Sequence, residues 1–153
     1  MLNTLSKKCK YALRAMYRLT REYDKGPVLI ARVSEQERIP RKFLEAILLQ
    51  LKRAGLVDSR KGRRGGYFLA IPPSRITLGA IIRTMDGPLA PLPCARETAG
   101  QPCAECSDKP ICETRMVMRE VRDAIAGILD HTTLAGVCSR APEEAETVLN
   151  YEI

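Results

Sequence analysis

The sequence predicts a mainly α-helical protein with a small β-wing: a winged helix-turn-helix head followed by a long C-terminal dimerisation helix. Three observations predict it. Apolar residues recur at helical spacing in the segments before residue 55, with a tight Ile39-Pro40 break ahead of the last of them. Two short β-type runs then flank the loop Arg60-Lys61-Gly62-Arg63-Arg64-Gly65-Gly66, which carries four basic residues and three glycines. A second long helical pattern, about 111–129, stands beyond a stretch crowded with prolines and cysteines.

Ser6 is the expected N-cap of a first helix running to about Tyr23, with Leu5, Cys9, Ala12, Leu13, Met16 and Leu19 on one apolar face. Gly26-Pro27 stops the chain, and a short helix of about 30–37 follows. The next helix, about 40–54, opens with Pro40 in its first turn, where a missing N–H costs nothing. Phe43, Leu44, Ile47, Leu48 and Leu51 form its predicted buried stripe, and Gly55 ends it. Strands are expected at 56–59 and 67–70, and Thr77 caps a helix from Leu78 to about Met85. An irregular stretch from Gly87 to Pro110 precedes the long helix, whose stripe is Val117, Val121, Ala124, Ile125 and Ile128. A helix of that length beside a head with its own core is expected to pack against a second copy of itself. The resulting domains are 1–85, the DNA-binding head; 86–110, a cysteine-rich sensor loop; 111–131, the dimerisation helix; and 132–153, a polar tail, partly disordered.

Charge divides the chain. Residues 1–75 hold 18 basic against 6 acidic side chains, and residues 76–153 hold 7 against 12, within a net charge of +7. A basic half joined to an acidic half suits one polyanion-binding part and one part with another task. No apolar run approaches the roughly 20 residues that span a bilayer, and the polar N-terminus lacks a signal-peptide pattern, so the cytoplasm is the expected compartment. His131 is the only histidine, and no phosphate loop or paired-carboxylate motif accompanies it, so the chain is not expected to be an enzyme. A capping or surface role suits His131 better than ligation.

The order of helices ending in a basic hairpin suits double-stranded DNA, whose major groove admits one α-helix. On the 40–54 helix, Arg41 and Lys42 are candidates for guanine edges or phosphates, Glu45 for cytosine and Gln50 for adenine, with Lys52 alongside. Lys7 and Lys8 of the first helix join them. Arg60, Lys61, Arg63 and Arg64 of the wing would meet phosphates or enter the minor groove, and Gly65 and Gly66 would permit a positive-φ turn and close backbone approach.

The run from Leu5 to Ala15, LSKKCKYALRA, resembles the opening helix of the Rrf2 family of bacterial repressors (IscR/NsrR/RirA type). So do IPRKFLE at 39–45, LKRAGLV at 51–57, the wing GRRGGYFLA at 62–70, ITLG at 76–79 and DGPL at 86–89. The resemblance covers nearly everything to Leu129. It implies a transcriptional regulator, a repressor, that forms a homodimer through the long helix and binds a palindromic operator, with Glu45 helping to choose that operator.

Four of the six cysteines crowd the loop as Cys94-x8-Cys103-x2-Cys106-x5-Cys112. Such thiolates suit zinc or an iron–sulfur centre. In the resembling family three loop cysteines hold a cluster and the fourth ligand varies. That implies an iron–sulfur cluster (2Fe-2S or 4Fe-4S) sensing iron, redox state or nitric oxide. The usual two five-residue gaps are not both present: Cys106 and Cys112 keep one, Cys94 suits the first ligand and Cys103 is extra, either as fourth ligand or as a spare thiol. Zinc is the alternative metal, and a thiol/disulfide switch the third reading. Some relatives take a ligand near the position of Lys10, which cannot serve in its charged form. Neighbouring Cys9 could ligate instead, but its place on the apolar stripe favours a buried core thiol, and Cys138 reads as incidental.

Overall fold

The computed structural model describes residues 5–98 and 111–141. Ser6 lies in extended backbone and its hydroxyl oxygen accepts from the Cys9 amide at 3.0 Å, satisfying an orphan donor at the start of α1, Lys7–Arg21. α1 buries Cys9, Ala12, Ala15, Met16 and Leu19; Leu5, expected on that face, precedes the helix and stays exposed. α2, Ile30–Glu37, ends at Arg38, whose left-handed backbone (φ 49°) is uncommon for a side chain with a Cβ. Two bonds hold the turn: the Ile39 amide donates to the Ser34 carbonyl at 3.0 Å, and the Ser34 hydroxyl donates back to the Ile39 carbonyl at 2.7 Å. From α1, buried Arg18 meets Glu37 at 3.0 Å and so clamps the end of α2.

α3 spans Arg41–Arg53, with Pro40 in the cap position rather than inside the first turn. Leu44, Ile47, Leu48 and Leu51 are buried as expected, but Phe43 is 41% exposed. At 3.6 residues per turn it lies roughly 90° around the helix from the centre of that stripe. Its ring packs edge-on against Tyr11 of α1 instead, with centroids 5.7 Å apart and planes at 84°. Gly55 follows the helix with φ 74°.

β1, Val57–Arg60, and β2, Gly66–Leu69, pair antiparallel with Val57 opposite Leu69 and Arg60 opposite Gly66. The ladder therefore lies one residue pair closer to the hairpin tip than expected. Val28 joins from the other side of β2, its amide and carbonyl each bonded to Tyr67 at 2.8 Å. α4, Leu78–Asp86, begins at Thr77, whose hydroxyl accepts from the Ala80 amide at 3.1 Å. A 3-10 turn, Pro93–Ala95, interrupts the segment after Gly87, and α5 spans Glu113–Leu129.

The first part of the expected polar tail is helical. α6, Leu134–Arg140, is capped by Thr133 and packs against α1. Backbone bonds from Leu78 to the Thr132 carbonyl and from Leu134 to the Ile76 carbonyl, both 2.9 Å, anchor its start. The core thus draws on Met16, Leu44, Leu48, Leu51, Ile81 and, from the far end of the chain, Leu134. Each such aliphatic side chain contributes about 1.5–3 kcal/mol relative to exposure.

Candidate DNA interface and cysteine loop

The buried side of α3 leaves an opposite ridge. Arg41, Lys42, Glu45 and Lys52 are all exposed on it, as the sequence predicts, and Ala46, Leu49 and Arg53 share that exposure. Arg53 was absent from the expected set; its one signal is the helical phase that carries it round beside Lys42 and Leu49. Arg41 and Glu45 face one another at 3.4 Å, one turn apart. Lys52 reaches across to the wing, its ammonium 2.9 Å from Asp58 and donating to Ser59 at 2.7 Å. That bond, with a second from the Ser59 amide, holds the Asp58 carboxyl below its usual range.

Gln50 is placed differently from the other candidates. Its side-chain amide donates to the Thr84 carbonyl of α4 at 2.5 Å, and its oxygen accepts from Lys8 at 3.4 Å. Both ends are engaged by the protein, so Gln50 braces α3 against α4 and meets Lys8 of α1. Lys8 is accordingly half-buried, whereas Lys7 is exposed with its ammonium 5.7 Å from the Tyr11 ring centroid.

On the wing, Arg60, Lys61, Arg63 and Arg64 are all exposed. The glycines serve the hairpin itself. Positive φ falls at Gly62 (104°) and, as expected, at Gly66, while Gly65 is buried and a Cβ there would collide with the Arg60 carbonyl. Gly66 (φ 145°) lies so close to the Val28 carbonyl that only hydrogen fits. The close approach predicted for Gly65 and Gly66 is therefore to the protein's own backbone.

Of the loop cysteines, Cys94 is buried within the 3-10 turn and Cys112 is half-buried at the cap of α5; both are free thiols. Cys103 and Cys106 lie outside the described residues. Arg122 donates to the Ala95 carbonyl at 2.7 Å, pinning the Cys94 turn against the middle of α5. Cys112 stands ten residues earlier on that helix, about 15 Å along its axis. Both ends of the loop are thus anchored to one helix, and soft thiol donors suit an iron–sulfur centre or zinc. Among the described residues alone, no three potential ligands gather.

Cys9 is fully buried, and burial, followed by the nearby Asp86 carboxylate, pushes its thiol up to about 11. Cys138 on α6 is half-buried and its thiol is likewise raised, chiefly by burial. His131 donates from its Nδ1–H to the Gly127 carbonyl, 2.8 Å away, in the capping role expected of it.

α5 has no buried residue: Val117 is 52% exposed and Ile128 68%, with Ile111 and Met116 also open. Of the apolar stripe expected on this helix, Val117, Ala124 and Ile128 are exposed among the described residues, and Val121 and Ile125 are half-buried.

Residues 5–140 match the Rrf2 family, described as an iron-dependent transcriptional regulator. The chain is 38% identical over 133 residues to an rrf2-like HTH-type transcriptional regulator of Rhodobacter capsulatus, covering 85% of this chain and 89% of that protein. Among solved structures it resembles CymR, the global cysteine regulator of B. subtilis, with 31% identity, a TM-score of 0.77 and coverage of 93% of this chain and 100% of that one. T. potens IscR superposes with a TM-score of 0.74 at 30% identity, covering 97% of this chain and 95% of that one. With its winged helix-turn-helix head and this likeness over nearly its whole length, the chain belongs to the Rrf2 family, and it is a DNA-binding transcriptional regulator rather than an enzyme.

Proposed function

We propose that this regulator acts in the cytoplasm as a homodimeric repressor, binding a palindromic operator under the control of the cysteine loop. The observation that supports it most directly is the position of that loop. Its start follows α4 of the reading head, and its end opens α5, with Arg122 tying the Cys94 turn to the same helix. In this reading Arg41, Lys42 and Glu45 meet base edges and nearby phosphates, while Lys7, Arg60, Lys61, Arg63 and Arg64 grip the backbone or the minor groove. Lys8, Gln50 and Lys52 hold α3 in place against α1, α4 and β1. Val117 and Ile128 of α5 meet their counterparts in a second copy, which sets the spacing of the two reading helices.

Cys94, Cys103, Cys106 and Cys112 would hold an iron–sulfur cluster, of 2Fe-2S or 4Fe-4S type. Bound there, it would supply iron–sulfide bonds sensitive to iron supply, oxidants and nitric oxide. The protein's own part is mechanical. Thiolates drawn together at one centre would pull on the Cys94 turn and the start of α5, and the bonds of Arg122 to the Ala95 carbonyl and of Arg83 in α4 to Asp130 at the end of α5 would carry that pull to α5 and α4. A small change in the relation of the two heads then alters how well both half-sites are met at once.

Metal and sulfide analysis with an absorption spectrum, on protein never exposed to air, tests the cofactor. Brown protein with stoichiometric iron and sulfide supports the cluster. Colourless protein with bound zinc supports a structural zinc site, and colourless metal-free protein a thiol/disulfide switch. Cys106→Ala is expected to remove the response of operator affinity to oxygen, iron or nitric oxide; an unchanged response sinks the sensing role.

A further inference from the structure

Winding round the solvent side of α3, from the flank beside Tyr11 to the middle of the ridge, three apolar residues follow one another at intervals of three: Phe43, Ala46 and Leu49, all exposed. Leu49 is 47% exposed and lies at the middle of the ridge, a position where a solvated helix face ordinarily carries polar side chains. Phe43 is not loose on the surface. Tyr11 holds its ring edge-on, and the Tyr11 ring is itself approached by Lys7 at 5.7 Å and Arg14 at 6.0 Å. Lys42 and Arg53 border the strip on the helix itself. An apolar strip framed by cations is poorly matched to a protein or lipid surface lacking dense negative charge. It matches a B-DNA major groove, where phosphates line the rims and the thymine 5-methyl is the apolar group displayed on the base edges.

We infer that Phe43, Ala46 and Leu49 form a thymine-methyl reader, so that operator choice depends on A·T pairs facing this strip as well as on polar contacts. The inference rests on the placement of α3 in the major groove proposed above. From Phe43 to Leu49 the helix rises about 9 Å, against about 3.4 Å per base pair, so the strip faces two to three adjacent positions in each half-site. Tyr11 is a positioning residue: it fixes the angle at which the Phe43 ring is offered.

The test uses the full-length wild-type protein and a duplex selected by it from a random-sequence pool. Each thymine is replaced in turn by deoxyuridine, which removes the methyl and leaves base pairing intact. Apparent Kd is expected to rise about three- to fivefold at one or more positions per half-site, the effect of unburying one methyl group. Phe43→Ala and Leu49→Ala are expected to weaken binding and to become indifferent to deoxyuridine at the position each one faces. Leu49 is exposed enough to be replaced without disturbing the core, so its variant carries the test even if Phe43→Ala folds poorly. Wild-type protein that binds its selected duplex but tolerates deoxyuridine everywhere would overturn the inference and leave DNA binding by α3 standing. The same deoxyuridine losses in wild type and both variants would also overturn it, since the methyls would then be acting through DNA shape. Failure to select any duplex, or salt-dependent affinity untouched by Arg41→Ala with Lys42→Ala, would instead remove the groove placement on which it rests, and the inference with it.

Discussion

Arg83 of α4 and Asp130, the residue that ends α5, form a two-pronged ion pair: Nη1 to Oδ1 at 2.6 Å and Nη2 to Oδ2 at 2.8 Å. It joins the reading head to the long helix across 47 residues of chain that include the whole cysteine loop. The bond from Arg83, followed by its charge, holds the Asp130 carboxyl below the ordinary value of 3.8. A depressed carboxyl contributes stability that is present above that ordinary value and lost as pH falls through the folded one. Asp130→Asn is therefore expected to narrow the stability difference between neutral and acid solution. Both partners are about one-third exposed, so the loss at neutral pH should be about 1 kcal/mol or less, read by denaturant unfolding. Gly79→Ala should act similarly, because its Cβ would strike Asp130 Oδ1. Faster amide exchange at the end of α5 in both variants is the structural signature to look for.

Gly66→Ala is expected to destabilise the protein by about 1–3 kcal/mol. Two penalties combine there, a φ of 145° and a Cβ driven into the Val28 carbonyl. Gly62→Ala, at the open tip where nothing lies within 4 Å, carries only the cost of its positive φ and should lose about 1 kcal/mol. Equal losses in the two variants would contradict the pinning of β2 to Val28.

Cys9 should behave as an inert core thiol. With its thiol pushed up to about 11 from an ordinary 9.0, native protein ought to resist alkylation at Cys9 at neutral pH. Because the folded value is raised, the associated stability is complete below pH 9.0 and drains away as pH rises from there towards about 11. Peptide mapping after alkylation across this range checks the first point, and unfolding of wild type against Cys9→Ala checks the second.

The wing arginines are expected to act on DNA affinity without choosing sequence. Arg63→Ala and Arg64→Ala should each lower affinity for operator and random duplex alike, and each reduce the slope of log K against log salt by about 1. A loss confined to the operator would mean instead that the replaced side chain reads bases or groove width.

Val117→Asp combined with Ile128→Asp should give a species of the 17.0 kDa chain mass in sedimentation, with wild type at twice that. Operator affinity should fall in parallel, while the melting of the head changes little, since neither residue is buried in its own chain.

Local chemistry and periodicity determined much of this protein before any contact was known. Ser6 and Thr77 cap the helices they precede, Gly55 follows α3 in the left-handed region, and the stripe from Leu44 to Leu51 is buried, because hydrogen bonding at helix ends and the 3.6-residue turn depend on neighbours in sequence. The basic wing and the clustered cysteines were legible as composition. Other features depended on what came near from elsewhere in the chain. Phe43 is drawn out of the expected core by Tyr11, 32 positions earlier, and the side-chain amide of Gln50 is bonded to the Thr84 carbonyl. Leu134 completes a core begun by α1, turning part of an expected tail into a helix. Gly65 and Gly66 each lie close against a carbonyl of their own protein. Pattern specifies which face of an element is apolar, but which of its flanking side chains remain free is decided by the partners that tertiary packing brings within bonding distance.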